Sequence, residues 1–187
     1  MKPNEKGEYN IYAGTGENVT LSNMTNRPFT IGGSEYKSVE QYFQLQKYQI
    51  AGVIEPISEQ YSAQVYKKIG EIADAIDKPN ISGYEAKKLG GIRIPNSKFN
   101  EVFWDKEGKQ AMKSAMIESF KQNPEALRDL LATGNAKLTH TQDKGKWGAE
   151  FPRLLTEVRD ELRKTEKLLE PSNLKEQNKA DEWKPKC

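Results

Sequence analysis

The stretch Tyr36 to Ile50 reads YKSVEQYFQLQKYQI. Wound at about 100° per residue, it places Val39, Tyr42, Phe43 and Ile50 on one apolar stripe. Ser38 stands just ahead of that stripe and is placed to cap the helix, which runs to about Ile50. Glu40, Gln44 and Lys47 follow at i, i+4 and i+7 on an adjacent stripe. One helix therefore carries a carboxylate, an amide and an amine in a row beside its buried face, as the wall of a cleft does. A row of this kind is more often a solvated face with weak ion-pair support.

Working outward, Glu8–Ala13 and Arg27–Ile31 read as short strands, separated by turn-forming residues at Gly14–Asn18. Gly32-Gly33 predicts a hairpin turn returning through Ser34-Glu35-Tyr36. Neither glycine group has the strand–GxGxxG–helix context of a nucleotide loop. A second helix is expected over 60–77, with Val65, Ile69, Ile72 and Ile76 at helical spacing. Tyr84–Leu89 is a short helix closed by Gly90-Gly91, and Ile92–Ser97 is a loop. A long helix over 99–121 offers Val102, Phe103, Met112, Met116 and Phe120 to a core, with Gly108 as a point of interruption. Pro124 starts a further helix to Ala132. Lys137–Gly148 reads as polar and irregular. Glu150 onward is amphipathic through Phe151, Leu154, Leu155, Val158 and Leu162.

These elements predict an α+β fold: a mainly helical single domain with a small N-terminal β element. The expected organisation is a flexible leader at 1–8, a domain over 9–168, and a polar, disordered tail over 169–187. The size fits one domain, at 187 residues with 35% hydrophobic and 30% charged side chains. With 29 basic and 27 acidic groups, net charge argues neither for nor against a nucleic-acid partner. Cys187 is the sole cysteine, so no disulfide framework exists within one chain, and a terminal thiol on a polar tail is a poor nucleophile. His140 is the sole histidine, which excludes a multi-histidine metal centre, and it is more often a structural residue than a proton shuttle. No apolar run approaches the ~20 residues needed to span a bilayer, and the first ten residues lack an apolar signal core. The expected location is cytoplasmic, with no membrane partner and no metal. The oligomeric state is not legible.

An ordered series surrounds the central helix: Leu21-Ser22-Asn23, Arg27-Pro28-Phe29, Gly33–Tyr36, Ser38-Val39-Glu40, Phe43-Gln44 and Gln46-Lys47. It continues through Ala86-Lys87, Leu89-Gly90, Trp104, Phe120–Asn123, Leu130–Gly134, Leu138, Trp147-Gly148 and Val158-Arg159. In order and spacing this series resembles the NADAR (YbiA-like) family, over roughly residues 9–163. The resemblance implies an α+β domain that hydrolyses N-glycosidic bonds without a cofactor. Two substrate classes come with it: ADP-ribose on guanine in DNA or RNA, and ribosylamino-pyrimidine phosphates of riboflavin synthesis.

N-glycoside cleavage builds positive charge at the anomeric carbon and requires a proton for the departing base. Glu40 suits the carboxylate role, and Lys47, if neutral, suits an amine that forms a Schiff base with the opened sugar. A nearby carboxylate favours the charged lysine, whereas burial favours the neutral one. Asn23, Gln44, Lys87, Trp104, Asp143 and Trp147 complete the expected substrate-binding set. Asn23 is placed to bind ribose or base, and Lys87 a phosphate. Asp143 is suited to a sugar hydroxyl or a water. Trp104 and Trp147 are stacking candidates; Trp104, inside a helix, is also expected in the core, while Trp147 in a polar loop is the more exposed. Trp147-Gly148 departs from the YbiA pattern by running straight into Ala149–Pro152, without a Gly-rich loop. Met24 stands where an aromatic residue often follows Leu-Ser-Asn.

Beyond the two hydrolase readings stand a non-catalytic ADP-ribose or NAD-binding module and a helical interaction domain. The last requires the Glu40, Gln44 and Lys47 stripe to be fully exposed.

Overall fold

A computed structural model describes residues 1–12 and 16–169, with side chains to residue 166. The expected tail beyond residue 169 lies outside the described residues, as does the 13–15 part of the first glycine turn.

Among the described residues six α-helices make the body: α1 Val39–Gln49, α2 Ser62–Ile76, α3 Gly83–Gly90, α4 Glu101–Lys121, α5 Pro124–Ala132 and α6 Lys146–Leu169. The central one is α1, packed against α2, α3 and α4, and α6 lies along the other side of α4. Ser38 caps α1 by accepting from Gln41 N at 3.1 Å. Ser82 opens α3 with a capping box closed by Glu85. Pro124 sits in the first turn of α5, where its missing N–H costs nothing.

Because helices surround it, α1 is buried well beyond its apolar stripe. Val39, Phe43, Leu45 and Tyr48 are core, and so are Glu40, Gln41 and Gln44. Burying Gln41 is offset by three hydrogen bonds. Its Oε1 accepts from Lys37 N at 2.7 Å, and its Nε2 donates to the carbonyls of Ile76 and Lys78 at 3.0 and 3.2 Å. Gln41 thereby ties the start of α1 to the end of α2.

The expected core residues of α4 and α6 are buried, except that Phe103 is half-buried and Val102 is exposed. Val102 is 85% exposed, because the first turn of α4 turns Phe103 and Trp104 to the body and leaves Val102 on its outer side. Gly108 does not interrupt α4; a Cβ there would stand 2.9 Å from Trp104 Cε2, so the glycine makes room for the indole. Arg27 is buried with its guanidinium 4.1 Å from the Phe120 ring centroid, and its Nε donates to Ser119 Oγ at 2.7 Å. That burial pulls Arg27 down to about 10.

Among the described residues the β structure is three separate two-stranded pairs rather than one N-terminal element. The predicted hairpin is present: β2 Phe29–Ile31 pairs antiparallel with β3 Ser34–Tyr36, Ile31 opposite Ser34. Its turn requires positive φ at both Gly32 (+61°) and Gly33 (+84°). The first expected strand shortens to β1 Tyr9–Asn10, and it pairs in parallel with β6 Leu138–Thr139 from the segment read as irregular. The third pair, β4 Ile54–Pro56 with β5 Ser97–Phe99, was not expected, and it replaces part of the loop before α4. Three-residue strands carry too little alternation to register in the sequence. Residues 1–8 lie on the surface, with Lys2 N held by Asn18 Oδ1 at 2.8 Å. No helix among the described residues is long and apolar enough to cross a membrane.

Candidate active site

The face of α1 that carries Glu40, Gln44 and Lys47 looks toward α3 and the 21–24 turn, not toward solvent. Glu40 is 3% and Gln44 7% exposed, and Lys47 is half-buried. The fully exposed stripe that an interaction domain requires is therefore absent.

Glu40 is held at both oxygens. Gln44 Nε2, one turn on, donates to Oε1 at 2.7 Å. Asn23 Nδ2 donates to Oε2 at 2.5 Å. Asn23 gets there because its own carbonyl accepts from Glu40 N at 2.9 Å, pinning the Leu-Ser-Asn turn to the first turn of α1. Burial raises the Glu40 pKa, against the lowering effects of the Gln44 hydrogen bond and of the Lys87 and Lys47 charges, while Asp143 raises it. Lys87 and Asp143 thus act on the same carboxylate from α3 and from the segment before α6. Lys87 itself is exposed.

Burial lowers the Lys47 pKa, and the Glu40 charge opposes this. The ammonium donates to the carbonyl of Gly90 at the C-terminal end of α3. The same carbonyl accepts from Tyr48 Oη at 3.2 Å, and Leu89 O accepts from that hydroxyl at 3.3 Å. The Tyr48 phenol is pushed up to about 12 by burial, so it remains a neutral donor. Gly90 also admits Gln44: an added Cβ would stand 1.9 Å from Gln44 Oε1. Two features of α3 therefore hold the row in place, the glycine at its end and the carbonyl of that glycine.

Lys47 opens into a cleft of about 690 Å³ bounded by Tyr48, Gly90–Pro95, β4, Ser97, Phe99 and Glu101. A second cleft, of about 770 Å³, lies between β6 and α6 and holds Asp143, but neither Glu40 nor Lys47. Among its long cations, Lys137 is paired with Glu8 at 3.1 Å and Arg153 with Glu150 and Glu157, while Lys144 donates only to Thr141 O at 2.8 Å. Arg159 Nη1 donates to Thr133 Oγ1 and Ala136 O at 3.0 and 2.8 Å. Lys47 stands on the wall of the first cleft, and Glu40, buried behind it on α1, lines neither.

Beneath the row lies an aromatic stack. Phe43 meets Trp104 at 5.1 Å and Trp147 edge-on at 4.9 Å between centroids. Trp104, at 7% exposure, is a core residue that supports α1 from below. Its place in the core follows from Phe43 and Gly108 covering the indole, which leaves no open face for a base. Trp147 is not in a loop as expected; it lies in the first turn of α6 and is half-buried. Gly148 next to it allows close approach of the Asp143 carbonyl, which an added Cβ would meet at 2.0 Å. Asp143 Oδ1 accepts from Gly145 N at 2.7 Å, shaping the turn into α6. His140 sits apart from the row, its Nδ1 2.7 Å from Ile11 O and its ring edge-on to Phe151.

The NADAR domain model matches residues 11–168, nearly the whole described body. The chain belongs to the NADAR family. Among curated relatives, the protein named N-glycosidase YbiA from Shigella flexneri is 27% identical over 140 residues, covering 74% of this chain and 73% of the relative. The protein of the same name from Escherichia coli is 26% identical over the same span. The NMR structure of E. coli YbiA superposes with a TM-score of 0.60 at 25% identity, covering 87% of this chain and 89% of that one. In this NADAR chain Glu40, Gln44, Lys47 and Asn23 are brought together, and Lys87 and Asp143 lie within electrostatic reach. Tyr48, Gly90, Arg93 and Phe99 also border the cleft and were missed as site residues. Gly90 had carried a signal, but as a helix terminator; Tyr48 had only its position next to Lys47.

Proposed function

We propose that this chain is an N-glycosidase that cleaves the bond between an (ADP-)ribose and a base, with Lys47 as nucleophile and Glu40 as proton carrier. The preferred substrate is ADP-ribosylated guanine in nucleic acid. The observation that carries the reading is the burial of a carboxyl and an amine on one face of α1. Burial raises Glu40 and lowers Lys47, so the pair moves toward a neutral acid and a neutral amine. A neutral amine is the form that attacks carbon.

The Lys47 amine adds to the anomeric carbon while the carbon–nitrogen bond to the base breaks. The bonding pair leaves on the base nitrogen, and the proton from the Glu40 carboxyl accompanies it. The sugar stays on Lys47 as a glycosylammonium; one ammonium proton passes to the ring oxygen O4′ as the C1′–O4′ bond breaks, and the opened sugar is then held as an iminium. Water adds to the iminium carbon while Glu40, left ionised by the first step, takes a proton from that water. The carbinolamine hydroxyl then passes its proton to the lysine nitrogen, the carbon–nitrogen bond breaks, and the sugar leaves as the open-chain aldehyde, restoring the neutral amine. Asn23 and Gln44 hold the Glu40 carboxylate oriented through both half-reactions. Asp143 and Lys87 set the local charge. The relatives' name supports an N-glycosidic bond as the target.

The segment after Trp147 favours the nucleic-acid substrate over a ribosylamino-pyrimidine phosphate. It is already part of α6, which begins at Lys146, so there is no Gly-rich loop whose amides could wrap a small phosphate. The test is turnover of guanine-linked ADP-ribose on DNA and RNA oligonucleotides, beside a free ribosylamino-pyrimidine phosphate. Release of ADP-ribose from the oligonucleotides supports the preferred substrate. Release of ribose phosphate from the small substrate alone transfers the function to riboflavin-type intermediates. Ligand binding with no turnover of either leaves a binding module.

A further inference from the structure

Phe99 and Ile92 stand on the border of the Lys47 cleft with 44% and 41% of their surfaces exposed. Val102, three residues beyond Phe99, is 85% exposed. Single exposed apolar residues are ordinary, but two on one cleft border, with a third on the adjoining turn of α4, mark a binding groove. The Phe99 ring is held on a firm backbone. Phe99 pairs with Ile54 across β4–β5, and the next residue, Asn100, donates from its N to Val53 O at 2.8 Å. Folding alone gives no reason to leave this ring in water.

Arg93 lines the same cleft and is exposed, and it forms no ion pair among the described residues. Its neighbourhood shows what a matched cation looks like there: Lys98 meets Glu55 at 3.3 Å across the strand pair. The loop bearing Arg93 is fixed by Ile94, which is buried, and by Ser97 Oγ donating to Ile94 O at 2.8 Å. The cleft has one carboxylate, Glu101, suited to accept from ring N–H and exocyclic amine groups.

We propose that this border is a nucleotide seat, in which a planar base lies on the Phe99 ring against Ile92 and its phosphate meets Arg93. The proposal rests on the N-glycosidase reading only for its orientation, because Lys47 marks the end of the cleft where the sugar reacts. Two sources offer this chemistry. One is a nucleotide of the strand that carries the modification; the other is the adenosine half of ADP-ribose. A stacked base accounts for the exposed ring, and a phosphate accounts for the unmatched guanidinium.

The test is calorimetric titration of the full chain with guanosine 5′-monophosphate, guanosine and ADP-ribose, for the wild type, Phe99→Leu, Phe99→Trp and Arg93→Gln. Phe99→Leu keeps an apolar residue on β5 and removes the stacking face, and Phe99→Trp restores a face. Loss of the face weakens binding of the seated probe roughly tenfold, and Phe99→Trp retains it. Arg93→Gln weakens the phosphate-bearing probe, leaves guanosine unchanged, and lowers the salt dependence by about one charge. The sensitive probe identifies the source: the monophosphate for a strand nucleotide, ADP-ribose for the adenosine half. Equal binding by wild type and variants overturns the seat, as does no binding of any probe by wild type. Turnover by the same proteins separates the two claims. An active enzyme insensitive at Phe99 and Arg93 loses the seat and keeps the glycosidase reading; an inactive one that binds through Phe99 does the reverse.

Discussion

Gln44 donates to Glu40 Oε1 at 2.7 Å, and its own Oε1 is buried against Gly90 without a hydrogen-bond partner among the described residues. A buried carbonyl without a donor is costly and is kept where something else gains from it. Here the gain is a carboxylate aimed by an amide one turn away. Gly90→Ala puts a methyl where Gln44 Oε1 now lies. The expected result is a stability loss of about 1–3 kcal/mol from overpacking. The rate is expected to fall by about a hundredfold as Glu40 loses its aim. Chemical denaturation and initial rates check both, and unchanged rates in the alanine variant contradict the role assigned to Gln44.

Stability should depend on pH through Glu40. Its folded pKa is raised, mainly by burial, so the folded chain holds that proton more tightly than the unfolded chain. The Glu40 contribution is fully present below the unfolded value near 4.5 and is lost as pH rises through the raised folded value. Glu40→Gln removes this loss, because the amide cannot ionise. The variant is expected to match wild type in acid and to gain on it as pH rises past 4.5 toward neutrality. Melting temperatures from about pH 4 to about pH 8 read this directly. A gap that widens toward acid contradicts it.

The sequence made the helix, its cap and the row on it legible, because Ser38 and the 3.6-residue period are local signals. It also made the Gly32-Gly33 hairpin legible, since two adjacent positive-φ residues have few other uses. What it hid was the surroundings. Whether Glu40, Gln44 and Lys47 face water depends on α3 docking against α1, a contact between segments some forty residues apart in the chain. The β4–β5 pair and its Phe99 edge were invisible for the same reason, each strand being three residues long. Trp147 was misplaced because the polar run Lys144-Gly145-Lys146 reads as a loop, although Lys146 already begins α6.

Lys47 and Tyr48 share the Gly90 carbonyl. Tyr48→Phe leaves that carbonyl to Lys47 alone, which strengthens the hydrogen bond to the charged amine and raises its pKa. If activity requires the neutral amine, the rising limb of the pH–rate profile moves to higher pH while the plateau rate changes little. A profile that keeps its midpoint and loses height assigns Tyr48 to packing only.

Gly148 allows the Asp143 carbonyl to pass within 2.0 Å of where a Cβ would stand. Gly148→Ala is expected to push the Asp143 turn away from α6 and lower turnover about tenfold or more by moving a charge that acts on Glu40. The Phe43–Trp147 contact reports on the same shift, so tryptophan fluorescence should change in parallel. Full activity with altered fluorescence separates Asp143 from the chemistry.

The central claim is that Glu40 and Lys47 form one catalytic pair. The most direct test is release of free ADP-ribose from guanine-linked substrate by wild type, Lys47→Ala and Glu40→Gln at equal, verified folding. The account requires release by wild type and a loss of at least about a thousandfold in each variant, since a nucleophile and its proton carrier act as a unit. Wild-type release that persists in either folded variant contradicts it.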